Sequence, residues 1–248
     1  MRIRLSVFCL CTLFFYNHAS AQVSSNNSSV APSVAVVQQQ YDAFFTAHPQ
    51  LYTGPEYVDY AKRFQTVIGH QFFLSPEEHR GNVYYNNHQF KDIALAYDIA
   101  LDQVVLKHPT TPLYLSLLNE NVRHFTLDNH RFIRLVADSS TSKVLRTGYY
   151  EVLVDSSVQL LAKRIKIRQE RANQGKIEIE FFPGDKLFVR KGAVYHPVGS
   201  KKSLTRLFAD RGKEVQKYIQ ANKLKFKKDR REAAIVRVTR YYTSLAAQ

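Results

Sequence analysis

Three groupings in this 248-residue chain have residue types that reaction chemistry uses, and their spacing decides what each can do. Asp98 and Asp102 are the carboxylate pair most like that of a glycoside hydrolase. On a strand, residues four apart share a face but stand about 13 Å from one another at roughly 3.3 Å per residue. Glycoside hydrolysis uses about 5 to 9.5 Å, so only a bend or helical turn between them would bring the pair into range, and the expectation is two solvated aspartates flanking a turn. Ser140-Thr141-Ser142-Lys143 matches the serine-x-x-lysine pattern of penicillin-recognising acyl enzymes, and Arg146-Thr147-Gly148 imitates their basic-Thr-Gly strand. Those enzymes bring the second element from far along the chain, whereas here it follows at once, which reads as a polar loop. Of the histidines, His70 and His79 are brought together by neither helical nor strand periodicity. His124 and His130 share a hairpin whose pairing points them to opposite faces, so no metal-binding convergence is expected.

No Gly-x-Ser-x-Gly elbow, His-Glu-x-x-His helix, Walker loop or Gly-x-Gly-x-x-Gly turn occurs in the sequence. No catalytic residue, metal ligand or cofactor is assigned, and the chain reads as a non-enzymatic binding or scaffold module. The runner-up is a hydrolase whose site is assembled from distant residues and carries no motif.

The positive signal is charge. Residues 22–162 hold ten Lys/Arg against thirteen Asp/Glu, residues 163–198 nine against four, and residues 199–248 fourteen against four. The basic character therefore belongs to the C-terminal third. Its densest part is Lys223, Lys225, Lys227, Lys228, Arg230 and Arg231, joined by Lys201, Lys202, Arg206, Arg237 and Arg240. Such a cluster suits an anionic surface: lipid headgroups, lipopolysaccharide phosphates or an acidic envelope protein. Nucleic acid is not expected, because the aromatic residues of this region are spaced for packing rather than interleaved with the charges for base stacking.

The N-terminus argues for export. Met1-Arg2-Ile3-Arg4, the apolar run Leu5 to Tyr16 and the small triplet Ala19-Ser20-Ala21 have the three parts of a signal peptide, which places the product in the periplasm, at the outer membrane or outside the cell. The run is shorter than the roughly twenty residues of a membrane-spanning helix. Both cysteines, Cys9 and Cys11, lie within it, so a cleaved product holds no disulfide, thiolate metal site or cysteine nucleophile. A lipid anchor on Cys11 is not expected, since no small residue precedes it.

Two blocks carry a resemblance. Leu51-Tyr52-Thr53-Gly54-Pro55-Glu56-Tyr57 with Gly69-His70-Gln71-Phe72-Phe73 and Gly81-Asn82-Val83-Tyr84-Tyr85 forms the first, and Ser200-Lys201-Lys202-Ser203-Leu204 with Tyr218 to Leu224 and Tyr241-Tyr242 the second. Together they resemble a family of uncharacterised exported proteins of Bacteroidota-type bacteria. The resemblance implies an envelope location and supplies no functional residues.

The elements that would position these residues follow from apolar periodicity. After the leader, residues 22–35 read as a disordered lead-in, and Val36 to Ala47 as a short helix ended by His48-Pro49. Ser75-Pro76-Glu77-Glu78 predicts a one-turn helix with a capping box. Residues 36–198 as a whole read as that helix plus an antiparallel β domain. From Asn82 to Val198 short apolar-rich segments alternate with turn residues, predicting about ten strands in an antiparallel meander, closed as a barrel or folded as a sandwich. Turns are expected at Asn86-Asn87, Asp128-Asn129 and Lys191-Gly192. A lipid-facing barrel is not expected, because segments such as Arg164 to Arg171 are too basic for a lipid face. The tail, 199–248, predicts two or three short amphipathic helices, one ended by Asn222 and the last opened by an Asp229/Glu232 capping box.

Overall fold

Apolar residues at alternate positions draw the chain into strands, because successive side chains on an extended backbone point to opposite faces. The computed structural model describes residues 48–109, 111–173 and 176–246; the leader, the lead-in and the helix expected before His48 lie outside the described residues. In chain order the strands are β1 (Thr66–Ile68), β2 (His79–Tyr85), β3 (His88–Asp98), β4 (Gln103–Lys107), β5 (Tyr114–Ser116), β6 (Val122–Leu127) and β7 (His130–Leu135). There follow β8 (Gly148–Val154), β9 (Val158–Lys163), β10 (Lys166–Asn173), β11 (Lys176–Pro183), β12 (Lys186–Lys191) and β13 (Val194–Val198). Three helices close the chain: α1 (Lys201–Leu207), α2 (Gly212–Ala221) and α3 (Lys228–Ala246).

Ten strands form one antiparallel sheet in the order β13-β12-β9-β8-β7-β6-β2-β3-β4-β5. The meander is as expected, but β13 and β5 remain its two edges, so the sheet does not close into a barrel. Asn86 and Asn87 both take positive φ, 48° and 64°, the requirement of a two-residue type I′ turn. That turn pairs Tyr85 with His88 and Val83 with Phe90. Leu127 pairs with His130 as expected. The third turn moves by one residue: Lys191 pairs with Val194, leaving Gly192, at φ 62°, and Ala193 as the loop. Gly81 is required where β2 passes β6, since a Cβ there would meet the Thr126 carbonyl oxygen.

The apolar run from Val158 to Ile167 does not form one strand; it is broken at Arg164-Ile165, between β9 and β10. Asp185 takes the Ile165 N–H at 3.0 Å and an Arg164 nitrogen at 2.8 Å, and the Gly184 N–H goes to the Ile165 carbonyl at 2.9 Å. These bonds end the β9–β12 pairing, and β10 and β11 continue as a hairpin in a separate sheet that β1 joins in parallel.

Two large apolar cores follow. The first gathers Val83, Tyr85, Leu95, Tyr97, Phe125, Phe132 and Tyr149, with Phe125 and Phe132 stacked at 4.8 Å. In the second, Val158, Leu160 and Ala162 of β9 and Leu187 and Val189 of β12 face Leu204, Phe208, Val215, Ile219, Ile235 and Val238 of the helical tail. Phe208 stacks flat on Tyr242 at 4.0 Å. The tail is thus the second layer of a sheet-and-helix sandwich of apolar faces.

Candidate functional site

The expected anion-binding residues divide into two groups. Ser200 caps α1 through a reciprocal pair with Ser203, which sets Lys201 and Lys202 on its exposed first turn. Lys202 lines a shallow recess of about 450 Å³ with Arg206 and Lys213. At the other end of α2, Asn222 ends the helix as expected and Lys223 takes φ 49°. There Lys223, Lys225, Arg230 and Arg237 line a cleft of about 230 Å³. A ten-residue helix is about 15 Å long, so the two groups stand at opposite ends of α2. Arg231 lines a larger cleft of about 820 Å³, together with Pro183, Asp185, Glu232 and Arg237. Lys227 is exposed, and the Lys228 side chain lies outside the described residues.

What sets this layer apart is where its acids go. Asp210 accepts from Lys191 at 3.0 Å and from the Tyr242 hydroxyl at 2.6 Å, and these bonds hold its pKa below the usual value. Glu214 pairs with Arg211 at 3.3 Å. Glu232 does not form the expected capping box; it turns inward to a fork with Arg164 at 2.7 and 2.9 Å. The ion pairs among the described residues leave Lys223, Lys225, Lys227, Arg230 and Arg231 without an acidic partner.

Arg164 is the hub of a buried network absent from the sequence reading. Besides Glu232 and Asp185 it holds Glu151 at 2.5 Å, and Glu151, only 3% exposed, also meets His130 Nδ1 at 2.5 Å. Burial alone would push the Arg164 guanidinium down, but Glu232, Glu151 and Asp185 outweigh it and raise its pKa. One residue away, Lys163 pairs with Asp102 at 2.6 Å, and Asp102 also takes the Tyr97 hydroxyl at 2.5 Å. Gly148 makes room for that pair: a Cβ on it would stand 2.0 Å from Asp102 Oδ2 and 2.6 Å from Lys163 Nζ.

Asp98 and Asp102 are therefore not the solvated pair expected. Asp98 is fully buried and accepts from the Tyr57 hydroxyl and the N–H groups of Ala100 and Leu101. The hairpin turn between them gives each its own partners, which four-residue spacing on a continuous strand could not reveal. Ser140 donates to Asp138, which also takes Thr141, and these bonds lower the Asp138 pKa to about 2. The hydroxyl is thus a loop brace. His124 stacks on Tyr84 at 5.2 Å, and no cluster of metal-ligating residues occurs among the described residues.

A third arrangement replaces the one-turn helix expected at Ser75. Leu74 takes φ 57°, a conformation a branched residue adopts only when its surroundings impose it. The chain then turns so that Ser75 Oγ lies 3.0 Å from His79 Nε2, while His79 Nδ1 lies 2.8 Å from Asp128 Oδ2. A carboxylate can only accept, so Nδ1 carries a proton, which in the neutral ring leaves Nε2 as the acceptor facing the serine hydroxyl. Glu77, beside it, competes with the ring for the one Ser75 hydroxyl proton, and a hydrogen bond from that serine lowers the Glu77 pKa. The signal was a serine four residues before a histidine, but the aspartate comes from another hairpin.

No family model, no curated protein and no solved structure matches the chain.

Proposed function

We propose that this protein is an exported binding module of the cell envelope that holds an anionic lipid surface with its basic helical layer. The observation that carries the reading is the asymmetry of the tail. Glu232 and Asp210 are turned onto Arg164, at the break after β9, and Lys191, at the end of β12, while Lys202, Lys213, Lys223, Lys225, Arg230 and Arg237 remain exposed. Each cation near an anionic headgroup layer contributes about 1 kcal/mol, so a handful suffices for salt-sensitive adhesion. The two basic groups, one at each end of α2, suit an extended surface better than a single small ligand. No helix among the described residues is long and apolar enough to cross a membrane, and attachment through charge needs none. The signal-like N-terminus supports the envelope location.

The test is co-sedimentation of the full chain with vesicles containing phosphatidylglycerol, at about 50 mM and about 500 mM salt, on either side of the point where screening reaches contact range. The protein is expected in the pellet at low salt and in the supernatant at high salt. Reversing Lys223, Lys225 and Arg230 to Glu, all exposed, should release it at both. Protein that stays in the supernatant at low salt would sink the reading. Charge reversal is preferred to removal of the tail, because removal would uncover the apolar faces of β9 and β12.

A further inference from the structure

We propose that Ser75, His79 and Asp128 form a nucleophile, base and orienting acid that transfer acyl groups from small activated esters to water. The two distances, 3.0 Å from Ser75 Oγ to His79 Nε2 and 2.8 Å from His79 Nδ1 to Asp128, place the proton acceptor on the hydroxyl side of the ring and the carboxylate on the other. This is the order in which an imidazole removes a hydroxyl proton while a carboxylate stabilises the resulting cation.

Rigid elements hold the parts. His79 opens β2, and Asp128 follows directly on β6, the strand hydrogen-bonded to β2. The Asp128 N–H donates to the Arg80 carbonyl at 2.8 Å, tying the hairpin turn to the residue after the histidine. Ser75 is held from the other side. The Phe73 N–H donates to Tyr97 at 2.8 Å, and the Phe73 ring packs edge-on against His130 and Phe132. The left-handed Leu74 then directs the chain back toward the histidine.

The balanced sequence has four steps. Ser75 Oγ bonds to the ester carbonyl carbon as its proton passes to His79 Nε2. The bond from carbon to the leaving oxygen breaks, and the alcohol departs with that proton. Water attacks the acyl-serine and gives a proton to His79, and the carboxylic acid leaves as Ser75 recovers it. Pro76, directly after the serine, has no N–H to offer the developing oxyanion. The trio also lies outside the clefts described above, so the substrates it fits are small esters with good leaving groups.

The experiment is covalent labelling of the full chain with a fluorophosphonate probe, read by the mass of the peptide that carries Ser75, alongside turnover of p-nitrophenyl acetate. Wild type is expected to take one adduct on Ser75 and Ser75→Ala none. His79→Gln should label at least about 100-fold more slowly, the low end for loss of a positioned base. Glu77→Gln replaces the competing carboxylate with a neutral, weaker acceptor and should label at least as fast as wild type. Far-UV spectra establish that each variant is folded. A folded wild type without an adduct on Ser75, a His79→Gln that labels at the wild-type rate, or a Glu77→Gln that labels more slowly than wild type would each overturn the assignment.

Discussion

Asp98 shows how much one side chain's surroundings decide. Burial raises its pKa above the usual carboxylate value, against the opposing pull of the N–H groups of Leu101 and Ala100 and the Tyr57 hydroxyl. A folded-state pKa above the unfolded one means that folding favours the protonated acid. Its contribution is complete below the ordinary aspartate value of about 4 and is lost as pH rises through the raised value. Asp98→Asn stays neutral throughout and should gain on the wild type as pH rises. Urea unfolding at about pH 3.5 and about pH 6.5 measures this; a gap between the two proteins that does not change with pH would contradict it. The sequence offered Asp98 as a solvated turn residue because the tyrosine that covers it stands forty-one positions earlier. Ser75 was legible only as a cap, since Asp128 reaches the same histidine from another hairpin.

At the scale of elements, the strands were legible and the joints between sheet and helices were not. Paired asparagines gave the β2–β3 register because positive φ at both positions permits few alternatives. The apolar spacing of Ile235 and Val238 gave a helix, but periodicity names a buried face without naming what buries it. The partner is the face of β9 and β12, with Arg164 crossing between the layers to Glu232. Arg164→Met should cost about 3–5 kcal/mol, the range for a buried ion pair broken from one side, because Glu151 then loses its closest cation. Denaturant melts measure the loss. Adding Glu151→Gln to the Arg164→Met protein should restore part of it; no recovery would show that the stranded carboxylate was not the cause.

Across the whole molecule, most strand neighbours are close in the chain, as a meander requires, and such contacts are cheap to make. The small sheet departs from this economy. Thr66 of β1 pairs with Glu178 of β11, more than a hundred residues later. Closing so long a loop is an entropic cost that a three-residue strand does little to offset. The parallel partner is therefore expected to join only after the hairpin it pairs with stands, which predicts that the segment around Val67 is locked late. Pulse-labelling hydrogen exchange during refolding should find the β1 amides protected after those of β6 and β7, and simultaneous protection would rule that order out. A nascent chain would then carry an open, addressable strand edge on β11 until late in its assembly, a window in which a chaperone or a second copy could compete for that edge.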